Sequence, residues 1–102
     1  MSVMAIMLTR EDLDALPDDG LRHELIDGAF VMTPAPGLSH QSMVGALHIS
    51  LVNASSKSGL KVLLAPFSVV LGPNVVEPDL LVAPAEAFTQ RDLPTAPLLA
   101  VE

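Results

Sequence analysis

The spacing of apolar and polar positions divides the chain into short elements around one long helix. From Leu38 to Lys57 apolar residues recur at steps of three and four, which is the period of a helix packed on one side, and Gly59 follows as a stop. Two short apolar runs, at about residues 22–26 and 29–33, flank Asp27-Gly28, a dipeptide favoured in two-residue hairpins. The pattern therefore predicts a β-hairpin followed by the long helix.

Shorter patterns surround these two elements. Thr9 precedes a cluster of acids and two leucines, which predicts a brief capped helix. The apolar runs 61–71 and 75–82 predict two strands joined by a turn at residues 72–74, and a last apolar run covers residues 98–101. The predicted fold is therefore α+β, with a mixed or largely antiparallel sheet and one helix across it.

Composition limits the functions that such a domain can have. The 102 residues suffice for a single domain over 1–102, and half of them are apolar, which argues against disorder. Three Phe without Trp or Tyr disfavour single-strand binding by base stacking. Twelve acids against five Lys and Arg give a net charge of -7, which opposes duplex binding by electrostatics alone. A nucleic-acid substrate would therefore need a local site or a metal ion.

The cellular setting follows from what the sequence lacks. Without cysteine there is no disulfide or thiolate metal site, which fits a reducing compartment. The apolar start, Met1 to Leu8, has no basic leader, and no run approaches the length of a membrane span. We expect a soluble, cytoplasmic protein that does not contact a membrane.

Four residues place polar groups at the edges of apolar elements: Glu24, His40, Asp79 and Glu102. Carboxylates beside apolar strands are costly to bury unless they are paired or bind a cation, so two or three of them together would suit a hard divalent metal. Each also has a structural interpretation. Glu24 pairs with Arg22 in the interpretation we favour, and His40 donates to the preceding loop. Asp79 accepts local backbone hydrogen bonds, and Glu102 belongs to a frayed terminus.

The same residues lie in motifs that resemble a known family. The chain resembles the Uma-type family of restriction endonucleases, which is assigned to the PD-(D/E)xK nuclease superfamily, over nearly its whole length. The motifs that carry the resemblance are Leu8-Thr9-Arg10-Glu11-Asp12-Leu13, Arg22-His23-Glu24-Leu25-Ile26-Asp27-Gly28, Pro34-Ala35-Pro36, His40-Gln41, Ala65-Pro66-Phe67 and Glu77-Pro78-Asp79-Leu80-Leu81-Val82. The resemblance implies a restriction-endonuclease-like core. It identifies Asp79 and Glu102 as the paired acids of the site, with Glu24 and His40 lining it.

The chemistry implied by the resemblance is metal-assisted hydrolysis of DNA. Asp79 and Glu102 would hold Mg²⁺ or Mn²⁺, and Glu24 would hold a second ion or order its water shell. His40 would bind phosphate or orient the attacking water. The cation would also offset the acidic charge of the chain.

One departure from the family pattern concerns the end of the chain. Family members continue through a Ser-Pro segment to a lysine, whereas this sequence ends at Glu102, and Lys57 and Lys61 match no family lysine. The sequence is then a fragment of a longer protein or a truncated, inactive relative. A last strand without cover predicts marginal stability or self-association as a homodimer. The rival functions are a non-catalytic binding or assembly module and a purely structural domain.

Overall fold

The structure is a computed structural model that describes residues 6–102, so most of the apolar start of the chain lies outside the described residues. Two α-helices, one 3-10 turn and eight strands follow in the order α1 (Arg10–Asp14), β1 (Arg22–Ile26), β2 (Ala29–Thr33), α2 (Leu38–Ser55), β3 (Leu60–Leu64), β4 (Ser68–Leu71), β5 (Asn74–Val76), β6 (Leu80–Pro84), the 3-10 turn (Ala85–Ala87), β7 (Asp92–Leu93) and β8 (Leu99–Val101). The α+β class is as the sequence predicts.

The strands form two sheets. One has five strands in the order β2-β1-β5-β4-β7, and the other has three in the order β3-β6-β8. All pairings are antiparallel except that of β4 with β7, so the strand pairing is mixed. The long helix α2 packs on the three-stranded sheet, where Val44, Leu47 and Leu51 contact the cluster formed by Val62, Leu80 and Val82.

The first hairpin forms where the sequence predicts it. Strands β1 and β2 pair from Arg22 opposite Thr33 to Ile26 opposite Ala29. Asp27 and Gly28 connect them with φ angles of 51° and 78°, the left-handed conformation that a two-residue hairpin turn requires. The hairpin therefore fixes which β1 side chains share a face.

The two apolar runs at residues 61–71 and 75–82 do not form one strand each. Pro66 interrupts the first run and Pro78 the second, and a proline has no N–H to donate to a strand ladder. The first run gives β3 and β4, and the second gives β5 and β6. In each case the two halves belong to different sheets, so the chain crosses between the sheets at both prolines. The prediction of two long strands was wrong for this reason.

Strand β6 is the most buried element. Leu81 and Ala83 enter one core cluster with Val69 and Leu93, while Leu80 and Val82 enter another beneath α2. Both faces of β6 are thus covered, which holds the strand rigidly and fixes the position of the residue that precedes it, Asp79.

Two features concern the predictions of self-association and of no membrane contact. Leu98 and Leu99, at the last strand, are 66% and 42% exposed, which matches the apolar surface expected there, and self-association remains a prediction. Among residues 6–102, neither helix has the length and apolarity needed to cross a membrane.

Candidate active site

All four predicted residues line one cleft of about 400 Å³. Arg22 and the connector from Pro34 to Pro36 complete its wall. A neighbouring cleft of about 480 Å³ shares Arg22, His40 and Asp79 and extends to His23 and Glu77. The candidate site is therefore the junction of two clefts at the seam between the sheets.

Strand β1 supplies two side chains to this site. Arg22 and Glu24 are two positions apart, so the alternation of a strand directs both to the same face. Glu24 is 6% exposed, and its Oε2 accepts a hydrogen bond from the backbone N–H of Glu77 at 2.7 Å. The favoured pairing of Glu24 with Arg22 was wrong, because the guanidinium of Arg22 donates to Asp79 instead. Glu24 thus connects β1 to the segment between β5 and β6.

Asp79 is fixed by backbone hydrogen bonds to other strands and turns, and its side chain contacts Arg22 and His40. Its N–H donates to the carbonyl of Val101 at 2.8 Å, and its carbonyl accepts from the N–H of Ala65 at 3.1 Å. Its side chain is 7% exposed; Oδ1 accepts a hydrogen bond from Arg22, and Oδ2 lies 3.1 Å from Nε2 of His40. The structural interpretation, in which this carboxylate accepts local backbone hydrogen bonds, was therefore wrong.

His40 reaches Asp79 from the first turn of α2. Its side chain is 41% exposed, so it presents an imidazole to solvent at the mouth of the cleft while contacting a buried carboxylate. The structural interpretation of His40, in which it donates to the loop before the helix, was wrong, since its polar contact is with Asp79. Helix α2 packs on β6 through later residues, and this packing fixes where the imidazole lies.

Glu102 follows β8 and brings a further carboxylate. Its pKa is raised by partial burial and then by the negative charges of Glu24 and Asp79, against the opposing effect of Arg22. The pKa of Glu77 is also raised, first by burial and then by Glu24. Burial alone would lower the pKa of Arg22, but its hydrogen bond to Asp79 and the charges of the surrounding acids outweigh burial and raise that pKa. The site is an acidic cluster around one guanidinium.

The acids suit a divalent cation by chemistry, because carboxylate oxygens are the ligands that Mg²⁺ takes in proteins. Within residues 6–102, however, no three His, Asp or Glu side chains are arranged as a ready set of metal ligands. Both oxygens of Asp79 and one of Glu24 have partners within the protein. The donor types fit the expected metal, and Arg22 is the cation of the cluster in this arrangement.

Sequence reasoning missed three residues of the site: Arg22 as the partner of Asp79, His23 and Glu77. The available signal was period-two spacing, since Arg22 precedes Glu24 by two positions and Glu77 precedes Asp79 by two. His23 has Nε2 2.8 Å from Oδ1 of Asp19, close to the second cleft. Lys57 and Lys61 line neither cleft, in agreement with leaving both unassigned.

Comparisons with known proteins identify the family and the fold of the chain. The family model "Uma2: Putative restriction endonuclease" matches residues 10–102. Among solved structures, the chain is similar to "a putative nuclease belonging to DUF820 from Anabaena variabilis ATCC 29413", with a TM-score of 0.68 and 16% identity. That match covers 84% of this chain and spans 50% of the other. No significant match was found among curated proteins.

Proposed function

Because the chain belongs to the Uma2 family, we propose that the cleft is the active site of a nuclease that hydrolyses phosphodiester bonds of DNA with the help of Mg²⁺ or Mn²⁺. The observation that carries the proposal is the meeting of Glu24, Asp79 and Glu102 with His40 and Arg22 in one cleft. These residues come from four separate segments of the chain. Packing alone does not require them to converge, and buried carboxylates are costly to gather without a cation.

The residues divide into acids and donors. Asp79 and Glu102 would hold the divalent ion, and Glu24 would hold a second ion or order water near the first. When bound, the ion supplies charge neutralisation at the phosphate and a better nucleophile from water. Arg22 and the exposed imidazole of His40 provide N–H donors that can bind phosphate oxygens.

The route for a polyanion is the side of the cleft that carries no acid. The connector from Pro34 to Pro36 and helix α2 contain no Asp or Glu, although the chain as a whole has a charge of -7. Glu24, within β1, and Asp79, immediately before β6, are buried, whereas Glu102 is exposed. A phosphodiester backbone entering past His40 would thus meet its exposed imidazole before the buried carboxylates of Glu24 and Asp79.

One observation favours a second candidate, the non-catalytic binding or assembly module. Both carboxylate oxygens of Asp79 have partners, Arg22 and His40. In addition, neither cleft in the described residues is lined by a lysine that could stabilise charge in a transition state. A module of this kind would bind nucleic acid without cutting it.

Plasmid cleavage distinguishes the two candidates. With Mg²⁺ present, we expect the chain to nick supercoiled DNA and Asp79→Asn to reduce the rate by at least about 100-fold, since Asp79 would hold the ion that assists hydrolysis. Asp92→Asn is the matched control: Asp92 also pairs with an arginine, at 2.8 Å from Arg10, but lies outside both clefts. Cleavage that survives Asp79→Asn would sink the proposal. DNA binding without cleavage in the wild type would favour the module.

A further inference from the structure

Arg22 is placed where it opposes the ion that the proposed function requires. Its guanidinium donates to Oδ1 of Asp79, and the two side chains are only 18% and 7% exposed. The charges of Glu24 and Glu102 act on the same guanidinium. Arg22 therefore compensates the cluster electrostatically as the structure stands.

A divalent cation bound to Oδ1 of Asp79 would share this oxygen with the guanidinium and would lie close to its positive charge. The other oxygen, Oδ2, is 3.1 Å from His40 Nε2, so the carboxylate has no oxygen without a partner. The position of Arg22 on β1, two residues from Glu24, also keeps its charge beside any ion that Glu24 would bind. Two cations in a partly buried site repel each other strongly, because the effective dielectric constant there is well below that of water.

We propose that Arg22 is a resident counter-cation that competes with the divalent ion for Asp79 and so weakens metal binding by the free protein. The inference rests on the proposed function and deepens it by assigning regulation of metal occupancy to one residue of the site. Metal binding at Asp79 then favours the departure of Arg22 from this carboxylate, because the two positive charges repel each other. A phosphate group, which accepts two parallel N–H bonds from a guanidinium, is a chemically suitable alternative partner for Arg22.

Metal binding measured without any substrate tests this role. Titration calorimetry with Mn²⁺ on the whole chain compares the wild type with Arg22→Gln, which loses the charge, and Arg22→Lys, which retains it. We expect Arg22→Gln to bind Mn²⁺ at least about tenfold more tightly, equivalent to about 1.4 kcal/mol, and Arg22→Lys to stay near the wild type. Arg10→Gln, which breaks the pair with Asp92 away from the clefts, controls for the loss of one positive charge.

The possible outcomes separate the inference from the proposed function. Equal or weaker Mn²⁺ binding by Arg22→Gln, with binding still abolished by Asp79→Asn, overturns the inference and leaves the proposed site intact. Binding that is unaffected by Asp79→Asn overturns the proposed metal site and the inference with it. Absence of binding in both the wild type and Arg22→Gln overturns the inference, and the plasmid assay then decides the proposed function independently.

A measurement on the wild type covers the case in which Arg22→Gln does not fold. Saturation with Mg²⁺ should shift the side-chain NMR signals of Arg22 together with the carboxyl carbon of Asp79, while the signals of Arg10 stay in place. A shift at Asp79 with no change at Arg22 would show that the ion binds without releasing the guanidinium, and would overturn the inference.

Discussion

Glu24 provides a test in which the charge of a buried carboxylate can be separated from its role as a hydrogen-bond acceptor. The side chain is 6% exposed, and one oxygen accepts from the N–H of Glu77 at 2.7 Å. Glu24→Gln retains an acceptor at the same place and loses the charge. Glu24→Ala removes both, and leaves a backbone donor without its partner at the seam between the sheets.

The magnitudes follow from these contacts. Losing a hydrogen bond to a charged acceptor costs about 1.5–3 kcal/mol, and deletion of a buried methylene adds about 0.8 kcal/mol. Relief of the repulsion from Asp79 and Glu102 offsets part of this loss. We therefore expect Glu24→Ala to lower the free energy of unfolding by about 2–3 kcal/mol, and Glu24→Gln by less than about 1 kcal/mol.

Thermal and urea unfolding measure the difference. At about 4–8 °C per kcal/mol for a domain of this size, Glu24→Ala should melt on the order of 10 °C lower, while Glu24→Gln stays within a few degrees of the wild type. Glu86→Ala, at an exposed glutamate, serves as control and should change stability by less than about 0.5 kcal/mol. Equal destabilisation by Gln and Ala would refute the acceptor role. Cleavage lost in Glu24→Gln with stability retained would assign the charge to catalysis.

Three further outcomes are expected. Gly28→Ala should destabilise by at least about 1 kcal/mol, because φ is +78° and a Cβ would lie 2.6 Å from Met7 Cε; an unchanged urea midpoint would contradict this. The pKa of Asp92 is lowered by hydrogen bonds from Thr89 and then Arg10, so its ionised form stabilises the fold above the ordinary value of 3.8, and this contribution is lost as pH falls through the lowered pKa. Asp92→Asn should therefore be less stable than the wild type at pH 7, and the difference should shrink as the pH falls below 3.8; a constant difference in unfolding free energy at all acidic pH values would count against the linkage. Sedimentation equilibrium should show self-association through the exposed last strand, whereas a monomer with one cooperative melting transition would argue against it.

Local rules predict the elements whose contacts are near in sequence. The Asp27-Gly28 hairpin forms with its expected strands, and the long helix begins at Leu38 as predicted, although it ends at Ser55, two residues before Lys57. Thr9 caps the first helix by accepting from the N–H of Asp12, whose side chain bonds back to Thr9. Turns and helix caps depend on residues that are adjacent in the chain, so they can be predicted from the sequence.

Long-range choices are not readable in the same way. The apolar runs around Pro66 and Pro78 show where strands break but not which sheet each half joins, because this depends on partners many residues away. The partner of Arg22 is similarly ambiguous: Glu24 is near in sequence, yet Asp79, 57 residues further on, receives the hydrogen bond. The family resemblance identified the acids of the cleft, whereas the guanidinium among them required three-dimensional contacts.

The crossing at Pro78 makes the candidate site sensitive to the relative orientation of the two sheets. On one side of this proline, the N–H of Glu77 donates to Glu24 of the five-stranded sheet. On the other side, the backbone of Asp79 is hydrogen-bonded to Val101 and Ala65 just before β6. Residues 77 and 79 can be separated by no more than about 7 Å, since an extended chain spans about 3.3–3.6 Å per residue. The tripeptide is therefore a short connection between the two sheets, and it limits how far Glu24, which binds the N–H of Glu77, can move from Asp79 when one sheet rotates against the other.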